Sequence, residues 1–306
     1  LAMAVLANRS TRIVVQGITG REAVTFTRHM IDYGSQVVAG VTPGKGGGTV
    51  YGVPVYDNLR QAIQRHPAEA SVISVPAAAV REAALEALEH GLKLLVIVTE
   101  RVPRRDVAEV IAWARHQGAR IIGPNSLGLL LPGKVKIGMV GGPAEDVRRA
   151  YTPGPVAVLS RSGGMTTELA SLLTQTGLGQ SICVSIGGDP LVGTTFVDLM
   201  PLLEEDPETQ AVVIFGEPGG MQEDALADYV ATRKPRLPVV AFLAGRFVDR
   251  MPGQRFGHAA VLVEGDRGRV EGKERALREA GVLVAQHLSE VPVLVREALA
   301  RQGKEV

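Results

Sequence analysis

Cysteine is almost absent from this chain: Cys183 is the only one among 306 residues. A single thiol excludes an internal disulfide and any zinc site built from several cysteines, and it suits a reducing cytoplasm. Aromatic residues make up only 4%, so the core must be filled by small aliphatic side chains. Neither sign of charge dominates, since 33 Lys and Arg against 32 Asp and Glu leave a formal net charge of +1. Nothing therefore marks the whole chain as a nucleic-acid binder. No apolar run reaches the roughly 18 residues of a membrane span. The start, Leu1-Ala2-Met3-Ala4-Val5-Leu6, is too short for a signal peptide. The expectation is a cytoplasmic protein with neither a membrane nor a nucleic acid as partner.

What is present is Val, Ala, Leu and Gly, with 45% hydrophobic residues overall and 36 glycines. Short apolar runs alternate with amphipathic stretches of helical period. In the first half, strands are predicted at 13–15, 37–41, 70–75, 94–98 and 120–122, with helices at 21–33, 57–65, 80–90 and 105–117. In the second half, strands are predicted at 156–160, 181–186, 211–215, 239–243 and 282–284. Its helices are predicted at 166–176, 195–205, 222–232, 271–280 and 290–300. Such alternation implies two α/β domains with parallel sheets, and ligands at the carboxyl ends of the strands. The expected division is a first domain over 1–130, a Gly- and Pro-rich linker over 131–154 and a second domain over 155–306.

Gln16-Gly17-Ile18-Thr19-Gly20 closes the first strand and opens the first helix, where glycines let helix-start N–H groups meet a phosphate. The dinucleotide fingerprint Gly-x-Gly-x-x-Gly is missing. After the second strand, where NAD proteins carry an acid for the ribose, stands Thr42-Pro43-Gly44-Lys45-Gly46-Gly47-Gly48. A lysine in a glycine loop favours an additional phosphate over a free ribose diol. A phosphorylated adenosine such as coenzyme A fits this better than NAD, which argues against a Rossmann oxidoreductase.

The second half holds three turns of small residues: Ser160-Arg161-Ser162-Gly163-Gly164, Gly216-Glu217-Pro218-Gly219-Gly220 and Gly257-His258-Ala259. Each follows a predicted strand and leads towards a helix, which suggests a phosphate site. Neutral imidazole can attack a phosphoryl group in line to form a phosphohistidine. A carboxylate such as Glu217 on its other nitrogen would fix the tautomer. The helix start at Ser162, Gly163 and Gly164 would supply N–H donors to the phosphate.

These segments together resemble the α subunit of succinyl-CoA synthetase (succinate–CoA ligase). The carriers are QGITG (16–20), GVTPGKGG (40–47), VTE (98–100), IIGPN (121–125), SRSGG (160–164), IGGDP (186–190), GEPGG (216–220) and GHA (257–259). They run in order over residues 12 to 300. The resemblance implies a Rossmann-like CoA-binding domain followed by a flavodoxin-like ligase domain. It also implies a separate ATP-grasp β subunit that binds ATP or GTP with Mg²⁺, in an αβ assembly or a dimer of it. CoA contacts carry over to Thr19, Gly20, Arg21, Glu22, Lys45, Val98, Thr99 and Glu100. The phosphorylated histidine carries over to His258 and its carboxylate partner to Glu217. Phosphate and acid contacts fall on Ser162, Gly163, Gly164 and Thr167. The implied substrate is a di- or tricarboxylic acid.

One stretch departs from the succinate pattern SRSGTLTYE. Here Gly164 stands for its threonine and Thr167 for the tyrosine that helps line the acid site. The form SRSGGM resembles the citrate-activating branch, ATP-citrate lyase and citryl-CoA synthetase, and KIGMVGG at 136–142 leans the same way. A smaller residue at 167 would leave space for a bulkier or hydroxylated acid, as in a citryl-CoA or malyl-CoA synthetase. The chain ends near Val306 and so would lack a lyase domain. A non-catalytic CoA-binding protein of the same fold is the further alternative, although His258 and Glu217 are both present. The five other histidines, at 29, 66, 90, 116 and 287, have no partner at metal spacing. They are read as surface or capping residues, and Asp189 as a turn former. Asn125 either meets the thiol end of CoA or holds a turn. Arg267 and Arg269 have no functional account.

Overall fold

The computed structural model describes residues 6–246 and 268–303, which fall into two compact units. The first comprises residues 6–148 with 191–194, and the second comprises residues 149–190 together with the described residues from Thr195 onward.

The first unit begins β1 (Arg12–Gln16), α1 (Arg21–Tyr33), β2 (Gln36–Val41), β3 (Thr49–Val50), β4 (Val53–Tyr56), α2 (Leu59–Arg65) and β5 (Ala70–Ile73). It continues through α3 (Val80–Glu89), β6 (Leu94–Ile97), α4 (Arg104–His116), β7 (Arg120–Ile122), β8 (Gly128–Leu131), β9 (Val135–Gly138) and α5 (Ala144–Ala150). Its main sheet runs β3-β4-β2-β1-β5-β6-β7, parallel except for the β3–β4 pair. The chain moves from β1 to β2 on one side and returns to β5 on the other, so loops diverge at the carboxyl end of β1, where doubly wound sheets bind ligands. Helix α1 forms because Ala23, Phe26, Thr27 and Met30 recur at helical spacing and bury one face. It stops at Gly34, whose left-handed φ of 103° lets its N–H reach the carbonyl of Ile31.

The second unit contains β10 (Pro153–Ser160), α6 (Gly163–Gln175), β11 (Gln180–Ser185), α7 (Phe196–Glu205) and β12 (Ala211–Gly216). After these come α8 (Gln222–Arg233), β13 (Val239–Leu243), α9 (Val270–Glu279), β14 (Leu283–Ala285) and α10 (Val291–Ala300). Its parallel strands lie in the order β14-β13-β12-β10-β11, a flavodoxin-like arrangement. The central strands are apolar throughout: Val156, Ala157, Val158 and Leu159 on β10 and Val212, Val213 and Ile214 on β12 are fully buried. Strands covered on both faces read as continuous aliphatic runs.

Residues 128–150, most of the stretch read as a linker, hold a β-hairpin and a helix. Leu129, Leu130 and Ile137 are fully buried, and the Ser35 hydroxyl both donates to the carbonyl of Lys136 (2.7 Å) and accepts from its N–H (3.0 Å). Glycines there serve close backbone approach between the two strands: a Cβ on Gly128 would sit 2.0 Å from the Ile137 carbonyl oxygen. The β3–β4 hairpin was also unforeseen. Its two-residue turn, Tyr51-Gly52, has positive φ at both positions (49° and 81°), the geometry that matches strand twist. Asn-Gly is the usual signal for that turn, and Tyr-Gly gave no warning. Helix α6 starts at Gly163, three residues before the expected 166, because the Ser162 side chain caps it by accepting from the Met165 N–H. Among the described residues, no helix is long and apolar enough to cross a membrane.

Candidate functional site

In the first unit, an open groove of about 830 Å³ lies at the carboxyl ends of β1, β2 and β5. Gly17, Thr19 and Gly20 from the β1–α1 turn and Thr42 from the loop after β2 line it. Gly17 has φ +84°, and a Cβ there would sit 2.1 Å from the Ser74 carbonyl oxygen. Only glycine lets the two loops pack so closely. The Thr19 hydroxyl donates to Thr42 Oγ1 (3.2 Å), tying the two phosphate-loop candidates together. Gly20 caps α1 with no side-chain acceptor, so the first-turn N–H groups have no intrahelical partner and face the groove end of the helix.

Gln16 was not singled out from the sequence, yet it holds this end of the sheet. Its buried amide donates to the Ala83 carbonyl (3.0 Å) and accepts from the Ser71 hydroxyl (2.7 Å). Asp57 and Glu86 line the same groove, where negative charge would repel a phosphate. Both carboxylates accept from backbone N–H groups, Asp57 from Gly46 (2.9 Å) and Glu86 from Leu59 (3.0 Å), which offsets part of their charge. Groove size, a close-approach glycine and an uncapped helix start suit a phosphorylated adenosine thiol ester carrier.

The remaining first-unit candidates lie on the same sheet edge but outside this groove. Lys45 is exposed on the glycine loop after β2. Arg21 and Glu22 occupy the exposed first turn of α1. Val98, Thr99 and Glu100 follow β6, with the Thr99 hydroxyl donating to the Val75 carbonyl (2.7 Å) and Glu100 exposed.

In the second unit, Ser162 and Glu217 leave the carboxyl ends of β10 and β12, which are adjacent parallel strands. The Arg161 guanidinium joins the two turns: its Nη1 donates to the carbonyls of Glu217 (2.9 Å) and Gly219 (3.0 Å). The Ser160 hydroxyl donates to the Ser162 carbonyl (2.6 Å) and accepts from the Ser162 N–H (3.0 Å), shaping the turn before α6. Gly163 and Gly164 form the first turn of that helix, and a Cβ on Gly164 would meet nothing within 4 Å. Thr167, on α6, accepts a hydrogen bond from the buried Tyr151 hydroxyl (2.8 Å).

Glu223, on α8, is buried and bonded to Arg161 (2.9 Å) and Lys273. Burial raises its pKa, but the two adjacent cations outweigh that and hold its carboxyl below the usual range. The sequence marks Arg161 only as part of its small-residue turn and gives no sign of Glu223 or Lys273, because charged residues are ordinarily placed at the surface. His258 lies outside the described residues. The chain leaves β13 towards it at Arg246, which is bonded to Glu274 on α9 (2.6 Å), and returns at Gly268, whose carbonyl accepts from the Gly219 N–H (2.8 Å). Among the described residues, no group of His, Cys, Asp or Glu could hold a metal ion.

Comparison with known proteins agrees with this division. Residues 8–101 match the family described as CoA binding domain, and residues 159–283 match CoA-ligase. The "Succinate--CoA ligase [ADP-forming] subunit alpha 2" of Archaeoglobus fulgidus is 43% identical over 97% of this chain and 100% of its own length. The "ADP-forming sulfoacetate-CoA ligase subunit SauD" of Bilophila wadsworthia is 38% identical over 97% of this chain and 100% of its own. Among solved structures, the ATP citrate lyase of Methanothrix soehngenii, determined with citrate and coenzyme A, superposes with a TM-score of 0.89 at 25% identity. That match covers 97% of this chain and 51% of the lyase, so the chain spans about half its length. The order of the two domains, the small-residue turns at their strand ends and full-length identity above 40% lead to one assignment: this chain belongs to the family of ADP-forming succinate–CoA ligase α subunits.

Proposed function

We propose that this chain binds CoA in its first domain and relays a phosphoryl group through His258 in its second, as one subunit of a nucleotide-dependent acid–CoA ligase. The observation that carries the reading is the Arg161–Glu217 contact. It joins the turn before the helix start suited to a phosphate to the backbone of Glu217, whose carboxylate suits a histidine, across 56 residues of sequence.

The residues divide the chemistry as follows. One nitrogen of the neutral His258 ring takes the γ-phosphoryl group of the nucleotide, forming an N–P bond as the P–O bond to the nucleoside diphosphate breaks. Glu217 accepts a hydrogen bond from the other ring N–H and stabilises the cationic ring. Ser162, Gly163 and Gly164 give backbone donors to the phosphoryl oxygens at the positive end of α6. A carboxylate oxygen of the acid then displaces the ring nitrogen, giving an acyl phosphate and neutral His258. Attack of the CoA thiolate on the acyl carbon forms the C–S bond and expels inorganic phosphate. Thr19, Gly20, Arg21, Glu22, Lys45 and Val98 to Glu100 bind CoA, with Lys45 on its additional phosphate.

ATP or GTP with Mg²⁺ is held mainly by an ATP-grasp β subunit, as in the α subunits this chain resembles, and a single free Cys183 suits a cytoplasmic setting. The acid is a small di- or tricarboxylate. A citrate- or malate-activating variant is favoured by Gly164 and Thr167 and by the resemblance to the citrate lyase fold. The test is CoA ligation by the αβ complex with succinate, malate, citrate and sulfoacetate, read as thioester formed per nucleoside diphosphate released. Stoichiometric thioester from one of these acids supports the reading, and nucleotide hydrolysis without thioester from any of them contradicts it.

A further inference from the structure

Beneath the Glu217 turn lies a cluster of three buried ionisable side chains: Arg161 after β10, Glu223 on α8 and Lys273 on α9 are 2%, 0% and 1% exposed. Arg161 Nη1 reaches the carbonyls of Glu217 and Gly219 and Glu223 Oε1 (2.9 Å). Lys273 Nζ reaches the same two carbonyls, at 3.2 and 2.6 Å, and the other oxygen of Glu223. Glu223 Oε1 also accepts from the N–H of Glu217 (3.2 Å). The backbone N–H and carbonyl of Glu217 and the carbonyl of Gly219 are thus gripped from one side by two cations and one anion.

An apolar cluster would stabilise the fold about as well, because burying charges costs desolvation that their attraction does no more than offset. What the cluster supplies, and hydrophobic packing does not, is direction: five hydrogen bonds aimed at one turn. Arg161 and Lys273 grip the same two carbonyls from separate elements, so the peptide planes cannot rotate without breaking bonds to both. A side chain's position follows from that of its backbone. We propose that Arg161, Glu223 and Lys273 are positioning residues that fix the Glu217 turn, so that its carboxylate holds the phosphoryl-carrying histidine in one tautomer. This rests on the reading of Glu217 as the partner of His258.

Lys273→Met and Arg161→Met each leave a one-to-one ion pair with Glu223, so neither strands an unpaired buried carboxylate. Each variant, in complex with the β subunit, is incubated with Mg²⁺ and γ-labelled ATP. The initial rate of acid-labile labelling is expected to fall about 10- to 100-fold, the scale of a misplaced catalytic group, while CoA affinity in the other domain stays within about two-fold. Glu217→Gln keeps an acceptor and hence measurable slow labelling. In that background, Lys273→Met is expected to change the rate by less than about two-fold, because the two act through one carboxylate.

Three results overturn the proposal. One is equal fold-losses from Lys273→Met with and without Glu217→Gln. Another is undiminished labelling by folded single variants. The last is recovery of both single variants only as unfolded protein, which would make the cluster a determinant of the fold. Absence of label on the wild-type complex overturns the phosphohistidine reading itself, and the positioning role with it.

Discussion

The Tyr151 hydroxyl donates to Thr167 Oγ1 at 2.8 Å, from the segment just before β10 to the second turn of α6. A tyrosine therefore meets this point of the helix although position 167 itself carries none, and it arrives from a different element than in the succinate pattern. Thr167→Val keeps the shape but removes the acceptor, at a cost of about 1 kcal/mol, measured by denaturant titration. Thr167→Tyr competes with Tyr151 for the same space and is expected to shift the ratio of kcat/KM between succinate and citrate towards succinate. An unchanged ratio would remove residue 167 from acid selection.

Gln16 cannot be replaced by an apolar residue of similar size without stranding the buried Ser71 hydroxyl and losing the bond to the Ala83 carbonyl. Gln16→Leu is expected to cost about 2–3 kcal/mol. It is also expected to weaken CoA binding, since Gln16 lines the groove. Calorimetric titration of CoA into the folded variant checks the second effect; wild-type affinity would separate the groove from the site.

Gly17 and Gly164 stand in similar glycine turns in the sequence, and the structure gives them opposite sensitivities. Gly17→Ala drives a Cβ to 2.1 Å from the Ser74 carbonyl at a φ of +84°, and should cost at least about 2 kcal/mol. Gly164→Ala meets nothing within 4 Å at the start of α6, and should gain about 0.5 kcal/mol from reduced backbone freedom. Thermal melts of the two variants are expected to move in opposite directions.

Much of this was legible in the sequence because two periodicities alternate along it. The parallel strands of both units fall on apolar runs such as those at 156–159 and 211–215, which need no partner to be recognised. The β3–β4 and β8–β9 hairpins were not legible. Their strands are short, and their turns depend on backbone dihedrals that glycine and Tyr51 adopt without announcing them. Nor was the Arg161–Glu223–Lys273 cluster, whose members are far apart in sequence and individually resemble surface charges. At the candidate site, the helix start at Ser162 and the turn at Glu217 were read from small-residue patterns. That Arg161 joins them is a tertiary fact that no pattern states.

Lys136 gives a pH dependence of stability in the first unit. Its side chain is buried, donates to the Gly142 carbonyl, and desolvation lowers its pKa to about 8 against the ordinary value of 10.5. Between those values the unfolded chain binds more protons than the folded one, so this residue's contribution to stability rises with pH across that window and is lowest below pH 8. Lys136→Met is expected to raise Tm by a few degrees at pH 7. It should also flatten the Tm profile between pH 8 and 10 relative to wild type. Parallel profiles would show that this ammonium is not desolvated.

The central claim is that His258 carries a phosphoryl group. The αβ complex is incubated with γ-labelled ATP and Mg²⁺ without acid or CoA, and the label on this subunit is followed through acid and base. Base-stable, acid-labile label is expected on the wild type, discharged by adding the carboxylic acid with CoA, and none is expected on His258→Ala. Equal labelling of wild type and His258→Ala, or label that persists in acid, would contradict it.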